Sequence, residues 1–556
     1  MTEVSFRPTL TPRCGPGPPN NPGHRDVVLI GFLDQGNLGM GYLAAVLLQR
    51  GWSVDIVDFR DGPARIADQV ERANPLVVGF SLIFQYFLPA YRDVALELRA
   101  RGIEAHFTMG GHYPSLCHDE VLETVPELDS VARFEGEMTM LELVECLAAG
   151  RNWHGVAGLA YLDGAAVMES PPRPLVHDLD ELPFPYRSGD PEEVLGFRAF
   201  PLLASRGCAR RCSFCSIHTF YREAPGKVVR VRSPQCVVAE MGELHDERGA
   251  RVFLFQDDDF PLWGRAGKRW VLELVDQLHA LDMVGRMIWK ISCRAEYVEA
   301  ELFATLRDAG LYLVYMGLES GTDEGLEVLH KQISVDTNRR AVELLKQLGI
   351  MFEYGFMLFD PSSTFASIRQ NVGFLRSIVG DGSAGATFCR MLPYGGTPIR
   401  DQLRAEGRLK GDVVRPDYDF LDRRLNDYHS QLDKATAAWI HGHGVSHQLN
   451  WAWNELAIAE RLAGPLDEAE SYREALQALT ARCNQELFQL VEQSSLEAEA
   501  DRRTTIGGGP VAMACEQHLA ELLDLRNNFV ADNQVRLLGA AAGAEVSGPI
   551  MQPQIF

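Results

Sequence analysis

From residue 27 onward the chain repeatedly sets a short, nearly continuous apolar run beside an amphipathic stretch, and this alternation leaves few folds open. VVLIGF, SVDIVDF, LVVGFS, EAHFTMGG and SVARFEG are separated by patterns such as LGMGYLAAVLLQRG and LPAYRDVALELRARG. Apolar strands alternating with helices call for a parallel sheet covered on both faces. The units between about 26 and 150 therefore form a doubly wound α/β domain. In such a domain ligands lie beyond the carboxyl ends of the strands.

Residues 151–192 read as an interdomain linker, because the two prolines of DLDELPFPYR hold an extended path. Alternation resumes over 193–410 with FPLLASRG, RVFLFQDD, MIWKISCRA, YLVYMGLES, MFEYGFMLF and GATFCRMLP. Six parallel β/α units suit a partial (β/α)6 barrel, with chemistry at the strand ends. Residues 411–556 lose the strand signal and form a helical C-terminal domain. Residues 1–25, rich in Pro and Gly, are expected to be a disordered leader.

A chain of 556 residues exceeds what one core can organise. Its formal charge of -23 argues against a nucleic-acid partner and favours a small-molecule or peptide substrate. No apolar run approaches the roughly 20 residues that cross a bilayer, and the N-terminus lacks a signal pattern, so no membrane role and a cytoplasmic location are expected. Eleven scattered cysteines do not make a disulfide framework.

Three of them are tightly spaced. SRGCARRCSFCSIH places Cys208, Cys212 and Cys215 as C-x3-C-x2-C at the carboxyl end of the first barrel strand. A zinc knuckle would need a fourth ligand, and His218 is cramped for the purpose. An iron-sulfur cluster held by three thiolates keeps one iron open to an outside ligand.

With this loop in this context, the chain resembles the radical S-adenosylmethionine (SAM) superfamily. The resemblance implies a 4Fe-4S cluster on Cys208, Cys212 and Cys215, with SAM on the open iron as source of a 5'-deoxyadenosyl radical. QDDDF (Asp257, Asp258, Asp259, Phe260), SCRAEY with Arg294, GLESG with Glu319, and LPYGGTP (Leu392 to Pro398) follow the family order. Arg294 and Glu319 are thereby placed near SAM. For Arg294 a barrel-mouth salt bridge stands beside that role, and for the Asp run a solvated turn. Phe359 occupies a position where relatives often carry glycine. Arg206, Arg210, Arg211, Arg230 and Arg232 surround the loop; positive charge there suits a reduced cluster, a carboxylate or an acidic electron donor of flavodoxin or ferredoxin type, and for Arg210 and Arg211 a simple surface position stands ahead of that role.

The first domain is similar to base-off cobalamin domains, whose marks are D-x-H-x-x-G, S-x-L and GG. Here DQGNLG begins at Asp34, SLI begins at Ser81, and Gly110 and Gly111 form the pair. Gly36 stands where the cobalt-ligating histidine would be, so the resemblance implies base-off cobalamin without a protein histidine, with Ser81, Gly110 and Gly111 toward its nucleotide tail. Together the domains resemble cobalamin-binding radical SAM enzymes of methyltransferase type. That class implies methylation of an unactivated carbon or phosphorus in specialised metabolism, by way of methylcobalamin and the adenosyl radical. Alternatives are a cyclase or ring-contraction enzyme with the same cofactors, and a non-catalytic sensor. No general acid or base is singled out. His441, His443 and His447 fit no single helix face as a metal set, and Tyr394, Trp451 and Trp453 divide between core packing and a substrate cavity under a helical lid. The tail matches no known family and is expected to set the substrate.

Overall fold

The computed structural model describes residues 24–33, 36–500 and 506–541. Most of the expected leader, and Asp34, lie outside them. The described chain divides into two compact units, one of residues up to 190 with 205–236 and 392–418, the other of 191–204, 237–391 and the residues from 419 on.

The first unit is built on strands β1 (Val27–Gly31), β2 (Val54–Asp58), β3 (Val77–Ser81), β4 (His106–Gly110), β5 (Ser130–Ala132), β6 (Leu159–Asp163) and β7 (Ala166–Glu169). They pair in the order β2-β1-β3-β4-β5-β6-β7. The first five are parallel, as the apolar runs require; every residue of β1 is buried because helices cover both faces. The order reverses between β1 and β3, which makes their carboxyl ends the switch point where a doubly wound sheet takes its ligand.

The last two strands differ from expectation. Residues 159–169, assigned above to the linker, form a hairpin that extends the sheet antiparallel from β5. Its two-residue turn, Gly164–Ala165, lies between the paired Asp163 and Ala166, and Gly164 at φ 62° fills the first central position, where a tight hairpin favours glycine. Farther on, the LPFP segment runs extended as predicted, and the Tyr186 N–H donates to the Gly41 carbonyl at 2.9 Å.

The second unit holds a sheet of β8 (Glu192–Val194), β9 (Phe197–Leu202), β10 (Ala250–Phe255), β11 (Ile288–Cys293), β12 (Leu311–Glu319), β13 (Met351–Phe359) and β14 (Cys389–Arg390). The six strands from β9 to β14 are parallel and neighbours in chain order, matching the six apolar runs; β8 adds an antiparallel edge. Burial alternates most regularly along β13. On β13, Phe352, Tyr354, Phe356 and Leu358 are buried under helices, whereas Met351, Glu353, Gly355 and Met357 are only half-buried. The same period leaves Lys290, Ser292, Tyr315 and Gly317 on the open face. The apolar face binds the helices, and the other lines a hollow.

Four helices, Arg424–Ile440, Val445–Leu462, Ala469–Glu499 and Gly508–Ala541, follow. Ile458, Ala459, Leu462, Leu537 and Ala541 pack with Phe197, Val252, Ile288 and Leu313, the early residues of their strands, and so cover the amino-terminal end of the sheet. Asn484, buried on the third helix, donates to the carbonyls of Val379 (2.7 Å) and Ala384 (2.9 Å) and accepts from Ala386 N–H (2.7 Å), fixing the approach to β14. Among the described residues no helix is long and apolar enough to cross a membrane.

Candidate functional site

The cysteine loop leaves a two-stranded hairpin, Ser205–Arg206 against Arg230–Val231. Gly207 opens it at φ 88°, and a Cβ there would lie 2.0 Å from the Val228 carbonyl oxygen, so the loop begins where only glycine fits. Cys212 is buried; Cys208 and Cys215 are half-buried. The Arg210 N–H points to Cys208 Sγ at 3.5 Å. His218 spends Nδ1 on the Cys215 carbonyl at 3.0 Å, and burial pulls its pKa below the usual range, helped by Arg222 and Arg211 against that carbonyl. It is part of the helix that follows rather than a ligand turned to the thiols. Among the described residues no three His, Cys, Asp or Glu side chains gather as ligands of a single ion. Thiolates bound to separate irons of a cubane need no such gathering, and the donor set fits that group.

The arginines around the loop behave differently from one another. Arg206 and Arg230 are buried, and they meet the FEGE segment: Arg206 bonds Glu135 at 3.1 Å and Glu137 at 2.7 Å, while Arg230 reaches Glu135 at 2.7 Å. Arg206 also lies over the Tyr42 ring, its guanidinium carbon 4.7 Å from the centroid. Arg232 is buried over Phe184. These three charges clasp the hairpin within the unit; Arg211 is exposed. LPYGGTP belongs to the same unit. Gln85, buried at the end of β3, accepts from Gly395 N–H at 2.7 Å and donates to the Val413 carbonyl, Arg400 pairs with Glu120 at 3.0 Å, and Ile399 N–H donates to the Ser213 carbonyl at 3.0 Å.

At the switch point, Ser81 ends β3 in register with Gly110 of β4. Its carbonyl accepts from the Tyr91 hydroxyl at 2.8 Å, and its own hydroxyl sits half-buried at the strand end. Gly111, at φ 121°, brings the backbones together: a Cβ would meet the Leu82 oxygen at 2.0 Å. Gly36 is exposed in a left-handed turn at φ 73°. Ser81, Gly110 and Gly111 thus share one edge, the crowded backbone and hydroxyl that a nucleotide tail requires, and the site fits cobalamin. Beside it the sequence reading missed an aromatic pair. Phe84 and Tyr86 flank buried Gln85, are 44% and 40% exposed, and stack at 5.5 Å and 11°; three neighbouring large apolar side chains, Ile83 included, were the available signal.

In the second unit, Asp257 and Asp259 of QDDDF are buried and Asp258 is exposed, so the segment is not a simple solvated turn. Asp257 accepts from the Ala204 N–H at 3.1 Å, tying the end of β9. Glu319, 8% exposed, ends β12 at φ 64°, a strained conformation for a glutamate costing about 1–3 kcal/mol. Its Oε1 accepts from Lys331 Nζ at 3.0 Å. Arg294 is buried; Nε meets Glu296 at 2.6 Å, the salt bridge considered above, and Nη2 donates to the Lys331 carbonyl. Lys331 therefore joins the two expected site residues, and no motif marked it. Near them Cys389 and Tyr315 are exposed on the same open side of the sheet. Burial raises the pKa of Glu353, against the pull of Lys290.

Other expectations fall outside these sites. Phe359 is buried against Phe420, Tyr428 and His429 and anchors a C-terminal helix. Trp453 is buried with Nε1 toward Thr480 Oγ1 at 3.3 Å, and Trp451 packs on the sheet's amino-terminal core. His441 pairs with Asp433 at 2.8 Å, away from a His443–His447 ring pair.

Comparison with known proteins agrees with this layout. Residues 27–144 match the B12 binding domain model and residues 202–370 the Radical SAM superfamily model. An uncharacterized methyltransferase of Pyrococcus horikoshii is 28% identical over 67% of this chain and 79% of its own length. The anaerobic magnesium-protoporphyrin IX monomethyl ester cyclase of Cereibacter sphaeroides is 27% identical over 68% of this chain and 62% of its own. The fold is similar to that of the cobalamin-dependent S-adenosylmethionine radical enzyme OxsB with aqua-cobalamin bound: TM-score 0.64 and 17% identity, covering 94% of this chain and 84% of that one.

Proposed function

We propose that this chain, which belongs to the cobalamin-binding radical SAM enzymes, methylates an unactivated carbon or phosphorus centre of a small molecule or peptide. The single observation that supports this best is the union, in one chain, of a three-thiolate loop and a B12 binding domain. Methyl transfer is favoured over cyclisation because the likeness to a methyltransferase runs over 79% of that relative's length, against 62% of the cyclase's.

Cys208, Cys212 and Cys215 would hold the cluster, Arg294 and Glu319 would face SAM, and Ser81, Gly110 and Gly111 would face cobalamin, with Gly36 in place of an imidazole below the cobalt. When bound, these groups supply a radical initiator and a methyl carrier, the chemistry that side chains lack. The protein's part is to bind and orient. The Arg210 N–H stabilises thiolate charge at Cys208, and Asp257 fixes the end of β9 ahead of the loop. The hollow of the second unit offers Lys290, Ser292, Tyr315 and Glu353 to a polar substrate. The cluster's reductant would be a flavodoxin- or ferredoxin-like protein.

Product analysis of the anaerobically reconstituted enzyme tests the assignment. S-adenosylhomocysteine and 5'-deoxyadenosine formed together, with a substrate heavier by one CH2, are expected. 5'-Deoxyadenosine with no methylated product would support the cyclase alternative; neither product would refute both.

A further inference from the structure

Glu319 and Lys331 form a buried pair over a bare patch of sheet. Gly317 of β12 and Gly355 of β13 are register partners. A Cβ on Gly317 would fall 2.2 Å from Glu319 Oε1 and 2.7 Å from Lys331 Nζ; one on Gly355 would fall 2.7 Å from the Tyr315 hydroxyl and 3.6 Å from Glu319 Oε2. The paired glycines are therefore the floor on which carboxylate, ammonium and phenol lie. Oε1 is engaged by Lys331, and Oε2 is carried toward Gly355 and Tyr315.

Much local structure is devoted to this geometry. Of nine non-glycine residues with positive φ among the described residues, three are Glu319 (64°), His330 (50°) and Gln332 (59°), the last two flanking Lys331. The backbone of Lys331 is held on both sides, its N–H donating to the Leu326 carbonyl at 2.9 Å and its carbonyl accepting from Arg294. Buried ion pairs are weak devices for stability, and left-handed backbone is costly. Their coincidence points to orientation of Glu319 as the purpose.

We infer that Lys331 is a positioning residue, which fixes one oxygen of Glu319 and the carboxylate's tilt so that the other oxygen can receive SAM. The inference rests on the radical SAM reading of the site and adds to it a residue and a division of labour. Lys331 sets the pose; Glu319 makes the contact.

The test uses the full-length, cluster-reconstituted protein with SAM as probe, read by equilibrium dialysis and by the change SAM makes in the reduced cluster's electron-paramagnetic spectrum. Lys331→Met should weaken SAM binding about tenfold or more, with iron and cobalamin content unchanged. Lys331→Arg should recover most of the loss. With Glu319→Gln added, Lys331→Met should cost little further, because the two act as a unit. Wild-type affinity in Lys331→Met, or losses that add in full, would overturn the inference. If Lys331→Met fails to take up iron, the pair Lys331→Gln and Lys331→Gln/Glu319→Gln decides: equal losses from the Lys331 substitution in both backgrounds refute coupling, and a loss confined to the Glu319 background supports it. Failure of the wild-type protein to hold a cluster or bind SAM would instead refute the proposed function.

Discussion

Glu135 and Arg230, 95 residues apart in the chain, share a buried ion pair in which Nη1 lies 2.8 Å and 2.7 Å from the two carboxylate oxygens. Burial pushes the Glu135 carboxyl up, but Arg206, Arg230 and the Val176 N–H outweigh it and leave it below the usual range. A carboxyl depressed in the folded state contributes stability above its unfolded pKa and loses it as pH falls through the folded one. Glu135→Gln should therefore destabilise the protein by about 3–5 kcal/mol near neutrality. Denaturant unfolding followed from pH 7 into the acid range is the check: the variant's deficit should shrink as pH falls below about 4, and a constant deficit would contradict the role given to the charge.

Cys208→Ala should remove the cluster's visible absorbance and SAM cleavage while leaving cobalamin bound. The contrast is Cys293, whose thiol is driven well above its usual pKa by burial, then by Asp259 and Glu296. Cys293→Ala should retain the full iron content. Iron analysis of both variants after reconstitution separates a ligand cysteine from a packed one.

Gly36 stands in a left-handed turn, so a β-carbon there should cost about 1 kcal/mol. If the cobalt lies over this residue, Gly36→His should still add nitrogen coupling to the cobalt(II) electron-paramagnetic signal. An unaltered signal in a cobalamin-loaded variant would remove Gly36 from beneath the metal.

Trp453→Ala should lower stability by about 3–5 kcal/mol, the cost of emptying a buried indole site. Its KM for substrate should not change in the fraction that remains folded. A raised KM with normal stability would restore the alternative in which this residue lines a substrate cavity.

The elements legible beforehand were those written in periodicity and close spacing: β1 to β5, the six parallel strands from β9 to β14, and the cysteine loop. Three things were not. The hairpin of β6 and β7 was hidden in a segment judged by its prolines, although the glycine of its Gly164–Ala165 turn was there to be noticed. Arg206 and Arg230 read as charges around a cluster because their partners, Glu135 and Glu137, lie far back in the sequence. Lys331 gave no sign at all. It is aimed by left-handed His330 and Gln332, residue types that do not advertise that conformation as glycine or asparagine would.

Ile458, Leu462 and Leu537, seated on the early residues of the strands, bury the amino-terminal end of the sheet in an apolar core of its own. Remodelling those helices would change how long the enzyme survives, and altering which molecules it admits would mean rebuilding elsewhere.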